Sequence, residues 1–141
     1  MENNPNNIPE LQSPFDQLRE VDGDNKEWWN SRKLARVMGY GKYWNFEHVL
    51  AKSQAWVTQK GYSLAEQFVE IEEMAELGSG AIRKVISLNL SRVGCMAVAM
   101  NADAKKAMVK VARDYFSQTM TPEGMEKSME STIILYRGAK G

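Results

Sequence analysis

A chain of 141 residues fits one domain and can bury a real core. Its 18 Lys plus Arg balance 18 Asp plus Glu, so net charge names no partner, and a single cysteine excludes an internal disulfide. No unbroken apolar segment is long enough to span a membrane, and the Asn- and Pro-rich stretch Met1 to Pro9 lacks the features of a signal peptide, so a cytoplasmic location is expected.

The charges are distributed unevenly. From Ser31 to Phe46 stand Arg32, Lys33, Arg36 and Lys42 with no acid. From Arg83 to Asp114 stand Arg83, Lys84, Arg92, Lys105, Lys106, Lys110 and Arg113 against Asp103 and Asp114. The acids gather in the first 27 residues and between Glu66 and Glu76. Separated patches of this kind suit a surface-selective binder, although proteins that bind nothing charged carry them too.

In chain order, residues 1–12 read as a disordered polar tail, residues 13–120 as the folded domain and residues 121–141 as an extension of unassigned structure. Phe15 and Leu18 point inward near the start. Asp22-Gly-Asp-Asn25 is a turn signal, and Glu27-Trp-Trp29 is the return arm of a small hairpin. Asn30 or Ser31 then caps a helix with Leu34, Val37 and Met38 inward, Arg32, Lys33 and Arg36 outward, and Gly39 at its end. The aromatic and basic turn Tyr40-Gly-Lys-Tyr-Trp44 leads into a second helix over 45–60, whose core face is Phe46, Val49, Leu50, Ser53 and Val57. Two helices joined by a tight glycine-containing turn resemble a helix-turn-helix, as many plain packing units also do. His48 lies near the apolar face of the second helix without an obvious partner and reads as a satisfied surface or core histidine rather than a catalyst.

The centre of the chain is Gly78-Ser-Gly-Ala-Ile-Arg83. Ile86, Leu88 and Leu90 alternate with polar residues, predicting a strand with that face buried. Val69, Ile71, Ala75 and Leu77 alternate before the turn, with Glu73 breaking the series. A hairpin over 68–90 is preferred; the competing reading is a helix from Glu66 to Leu77, built of good helix formers. Ser91 or Arg92 opens a nearly all-apolar helix containing Cys95, which reads as a buried structural thiol and the helix as the central one. Asn101-Ala-Asp103 breaks it, and Asp103 is placed to cap a last helix with Ala104, Ala107, Met108, Val111, Ala112, Tyr115 and Phe116 inward. Lys106, Lys110 and Arg113 then share one exposed stripe. Pro122 and Gly124 stop that helix, and Thr132-Ile-Ile-Leu-Tyr136 has strand character. The predicted core unites Trp29, Leu34, Phe46, Leu50, Leu90, Met96, Val111, Tyr115 and Phe116.

Several blocks carry a resemblance: Trp29-Asn-Ser-Arg-Lys-Leu-Ala-Arg-Val-Met-Gly-Tyr40, Tyr43-Trp-Asn-Phe46, Phe68-Val-Glu-Ile-Glu-Glu-Met74, Leu77-Gly-Ser-Gly-Ala-Ile-Arg83, Leu90-Ser-Arg92, Asn101-Ala-Asp103, Lys106, and Tyr115-Phe-Ser-Gln-Thr119. In that order and spacing, over about residues 15–120, the chain resembles the DNA-damage-inducible protein D family, within the wider group that carries the BRO N-terminal domain of phage and viral antirepressors. The resemblance implies an α+β domain, favours the hairpin over the helix, and implies a role in DNA binding or regulation rather than catalysis. The chain departs from the family pattern at Ala102, Ala104 and Arg113, usually glycine, proline and glutamine. It is one residue short after Phe116, carries Met120 for an arginine, and Thr121 to Gly141 does not resemble the family's long charged C-terminal region.

The expected fold is therefore a single small α+β domain with β-hairpins packed against several helices. The expected function is a DNA-binding regulatory module of the damage-response or phage-control type. Its contact residues would be Arg32, Lys33, Arg36, Lys42, Tyr43, Arg83, Lys84, Arg92, Lys105, Lys106, Lys110 and Arg113. The alternative is a protein-interaction module, antirepressor-like or a modulator of a RecA recombinase filament, acting on a DNA-bound partner. No enzyme, cofactor or metal is expected. There is no Cys–His or Ser–His pairing and no Gly-Lys-Ser phosphate loop, and Glu70, Glu72, Glu73 and Glu76 read as a solvated acidic face rather than metal ligands.

Overall fold

The computed structural model describes residues 13–118. Ser13 starts the fold by accepting the Phe15 N–H, and Pro14, whose fixed φ suits a first helical turn, opens α1 (Pro14–Leu18). β1 (Glu20–Val21) and β2 (Glu27–Asn30) form the expected small hairpin. Its turn is held by one side chain: the Asp22 carboxylate accepts the Asp24 N–H at 2.8 Å, the Lys26 N–H at 3.0 Å and the Trp28 indole N–H at 2.8 Å.

The Asn30 side chain accepts both the Arg32 and Lys33 N–H groups and so starts α2 (Ser31–Val37). That helix ends at Gly39, whose φ of +94° a side-chain-bearing residue would adopt only with strain. α3 (Tyr43–Gln59) buries Phe46, Val49, Leu50, Ser53 and Val57, the face read from the sequence, and packs it on α5 (Arg92–Asn101). α5 carries Cys95, Ala97, Val98 and Ala99 into the centre of the core. Its start is fixed by Ser91, which caps the Gly94 N–H, and by close packing: a Cβ on Gly94 would lie 2.7 Å from the Gln67 carbonyl oxygen.

The sheet has four antiparallel strands in the order β1-β2-β4-β3, an α+β architecture. β3 (Phe68–Glu76) and β4 (Ile82–Leu90) pair along their whole length, with Glu76 opposite Ile82, and Gly80 at φ +87° makes the turn between them. The hairpin is therefore present. Helix is confined to α4 (Leu64–Gln67), which ends just before β3, so the helical reading holds only for Glu66 and Gln67. β2 pairs with β4 only at Trp29–Leu90 and Asn30–Asn89, so the rest of the hairpin extends past the short strands as an arm.

Two sequence expectations are corrected. The predicted buried face of β4 is not buried: only Leu90 is, Leu88 is half-covered and Ile86 is 51% exposed, while Ser87 is the buried residue. Alternation reports which residues share a face, not whether an element lies over that face. In the arm, α2 covers the face of Ser87 and Glu73 instead. The last helix, α6 (Ala107–Gln118), begins three residues later than Ala104, because Asp103 to Lys106 form a turn closed by the Lys106 N–H on the Asp103 carbonyl. Its buried stripe is Val109, Ala112, Tyr115 and Phe116; Ala104 and Ala107 are exposed, Val111 is 40% exposed and Met96 of α5 is half-buried. The rest of the predicted core is buried. Phe15, Trp29, Tyr115 and Phe116 form an aromatic cluster, with the Trp29 and Phe116 rings 5.1 Å apart, and the Trp29 indole N–H donates to the Phe15 carbonyl at 2.7 Å. The strand-like segment at 132–136 and the tail at 1–12 lie outside the described residues.

Candidate nucleic-acid interface

Five of the twelve predicted contact residues are engaged in holding the fold. Arg92 binds Glu27 in a fork, Nε to Oε1 at 3.0 Å and Nη2 to Oε2 at 2.9 Å, with its guanidinium over the Trp29 and Tyr115 rings at 5.1 and 5.5 Å. Only 12% of its side chain is exposed. Burial raises the Glu27 carboxyl, but hydrogen bonds from Arg92 and Arg19 outweigh it and hold Glu27 below the ordinary carboxylate range. Arg113 donates to the Ala99 carbonyl at 2.8 Å, supplying a cation where α5 leaves carbonyls unmatched. Lys106 donates to the Gly39 carbonyl at 3.1 Å and lies over the Tyr40 ring. The expected stripe of Lys106, Lys110 and Arg113 therefore does not form, since only Lys110 of the three is exposed.

Arg32 and Tyr43 belong to the joint between α2 and the arm. Arg32 donates to Ser87 Oγ at 2.8 Å and to the Ile86 carbonyl at 2.9 Å, and stacks 4.0 Å from the Tyr43 ring centroid. Ser31 Oγ shares a hydrogen bond with the Tyr43 hydroxyl at 2.7 Å and accepts the Leu88 N–H. Burial is the main reason the Tyr43 hydroxyl is pushed up. Glu73, the residue that interrupts the alternation of β3, accepts two bonds from the Asn30 amide at 2.9 and 3.1 Å. Burial raises its carboxyl, yet the bonds from Asn30 and Ser87 and the charge of Arg32 leave it lowered. The helix cap of α2 and the arm are thus one polar network. Among the described residues no group of three His, Cys, Asp or Glu could hold a metal. Burial drives the Cys95 thiol well above its ordinary range.

Seven predicted residues keep exposed side chains: Lys33, Arg36, Lys42, Arg83, Lys84, Lys105 and Lys110. Arg83 and Lys84 lie on the arm, where Lys84 pairs with Glu72 at 3.3 Å, and Lys33 stands 4.0 Å from Glu20. The others gather through two turns distant in sequence. The Tyr40 hydroxyl accepts the Asp103 N–H at 2.9 Å, and Lys106 reaches the Gly39 carbonyl. This clamps the turn 39–42 to the turn 103–106, so that Arg36 at the end of α2, Lys42, Lys105 and Lys106 share one corner, with Lys110 one turn into α6. Trp44, in the first turn of α3 at that corner, is 58% exposed and was not singled out from the sequence. The aromatic turn was visible, and the phase of α3 set by Phe46 would have separated inward Tyr43 from outward Trp44.

No family model matches the chain, and no solved structure matches it. The chain is similar to DNA damage-inducible protein D of Escherichia coli (strain K12), being 30% identical over 108 residues. That span is 77% of this chain and 39% of the relative. The chain spans about two fifths of that relative's length.

Proposed function

We propose that the domain is a non-catalytic DNA-binding module acting in the DNA-damage response, and that it holds the DNA backbone through the corner of Arg36, Lys42 and Lys105, extended by Lys33 and Lys110. The carrying observation is the clamp between the two turns, which gathers cations from two separate segments on one corner. The name of the similar protein supports the cellular role. Lysine and arginine side chains at such a corner neutralise phosphates and release condensed counterions, so affinity falls steeply with salt. Sequence discrimination through these contacts is small, since phosphate contacts position a protein without reading bases.

Anisotropy titrations against duplex and single-stranded DNA at several salt concentrations test this. Lys42→Ala with Lys105→Ala should lower the magnitude of the log–log salt slope by about two units, one per lost contact, without changing the melting transition. Absence of binding to either DNA at low salt overturns the proposal.

A second reading has its own observation. The arm exposes Met74, Ile82 and Ile86 at 64%, 66% and 51% on the face that also carries Glu70, Glu72 and Glu76. Apolar surface with an acidic rim suits a protein partner. On this reading the domain is a docking module for a DNA-bound protein such as a repressor or a RecA recombinase filament, and substitutions on the arm, not at the corner, abolish its effect.

A further inference from the structure

Of the four tryptophans, three have assigned partners. Trp29 is fully buried and bonded to the Phe15 carbonyl, Trp28 donates to Asp22, and Trp56 is partly buried with the Lys60 ammonium 5.5 Å from its ring centroid. The Trp44 side chain makes no hydrogen bond, ring contact or cation contact among the described residues and is the most exposed of the four. Its backbone is nevertheless tightly fixed. Tyr43 on one side is bonded to Ser31 and stacked on Arg32, and Phe46 two residues on is fully buried against Tyr40 and Tyr43. The indole is thus a large apolar plane in water on a rigid helical turn, and stacking a ligand on it orders little that is not already ordered.

Its neighbours define the ligand. Lys42 stands two residues before it, and Lys105 is brought to the same corner by the bonds from Asp103 to Tyr40 and from Lys106 to Gly39. Along α3 the exposed residues His48 and Lys52 follow at four-residue intervals on the same side as Trp44. An aromatic plane flanked by cations is the pattern of a surface where phosphates are held by the cations and a base stacks on the ring. In a duplex both faces of every base are already occupied by neighbours. Only an unpaired base, in a single strand, gap or flap, can offer its face to Trp44 without first paying for unstacking.

We infer that Trp44 is a base-stacking residue and that the corner selects DNA with unpaired bases over intact duplex. This rests on the backbone-contact reading above and adds the substrate class to it. The test compares a mixed-sequence single strand with its duplex by anisotropy at low salt, for wild type, Trp44→Ala, Trp44→Phe and Lys42→Ala. Wild type should prefer the single strand. Trp44→Ala should lose about 5- to 100-fold in single-strand affinity with little change on duplex, and Trp44→Phe should recover most of it. Tryptophan emission should be quenched by the single strand in wild type and not in Trp44→Phe. Lys42→Ala should weaken both DNAs alike. If wild type binds DNA with a steep salt slope but Trp44→Ala is unchanged or weakened equally on both forms, the stacking role is wrong and backbone binding stands. If wild type binds neither form, the backbone reading falls and this inference with it.

Discussion

Arg92 and Glu27 show how a residue's chemistry is decided by what surrounds it. A fork of two charge-assisted bonds, half-closed by Arg19 and roofed by two aromatic rings, keeps both charges nearly out of water. Removing one member of such a pair leaves the other buried and unmatched. Glu27→Gln should therefore destabilise the domain by roughly 3 kcal/mol, near the low end for buried pairs because Glu27 keeps some contact with solvent. The pH dependence has a definite sign. Folding lowers the Glu27 carboxyl below its unfolded value, so the folded state favours the ionised form. The stabilisation is fully present above the unfolded carboxylate pKa of about 4.3 and is lost as pH falls through the lower folded value. Urea melts from pH 7 down to pH 3 should show wild type losing stability on the acid side more steeply than Glu27→Gln; parallel curves would show that the pair carries no such linkage.

At the scale of elements, the arm joins the body through hydrogen bonds more than through apolar burial. Its tip half presents Met74, Ile82 and Ile86 to solvent, while its base is fastened by Ser31 and Arg32 to the backbone of β4 and by Asn30 to Glu73. α2 thus performs, over Ile86 to Leu88, the edge-covering that a fifth strand would otherwise perform. Arg32→Ala should remove the donor to the Ile86 carbonyl and to Ser87 at a cost on the order of 1 kcal/mol in global stability. Amide hydrogen exchange should rise selectively at residues 82–88, with α5 amides keeping the global protection. Uniform acceleration across the sheet and α5 would mean that the arm and body unfold as one unit.

For the whole molecule, the aromatic cluster is where the two ends of the described chain meet. Phe15 of α1 and Tyr115 and Phe116 of α6 close around Trp29, and the Tyr115 hydroxyl donates to Asp16 at 2.9 Å. Phe116 is 2% exposed in the middle of this closure, so Phe116→Ala opens a cavity between elements separated by the full length of the domain. A loss of about 3–5 kcal/mol is expected, read as a lower midpoint in chemical denaturation with an unchanged slope. A variant that melts like wild type would show that the termini close by other contacts. The same closure sets α6 against α5, which in turn delivers the turn 103–106 to the turn 39–42.

The chain by itself determined the longer helices and the small hairpin and favoured a hairpin over 68–90, because caps, turn residues and periodicities of 2 and 3.6 are local properties. Asn30 as a cap, Gly39 and Gly80 as turn residues, and the core face of α3 are all legible in this way. What the sequence left undecided is which faces are covered and which charges are spent, since both depend on residues dozens of positions apart. Ile86 and Ser87 exchange their expected places only because α2 lies beside β4. Arg32, Arg92, Lys106 and Arg113 look like free cations until Ser87, Glu27, Gly39 and Ala99 are brought to meet them. The exposed remainder, with Trp44 beside it, becomes one surface only when tertiary packing clamps two distant turns together.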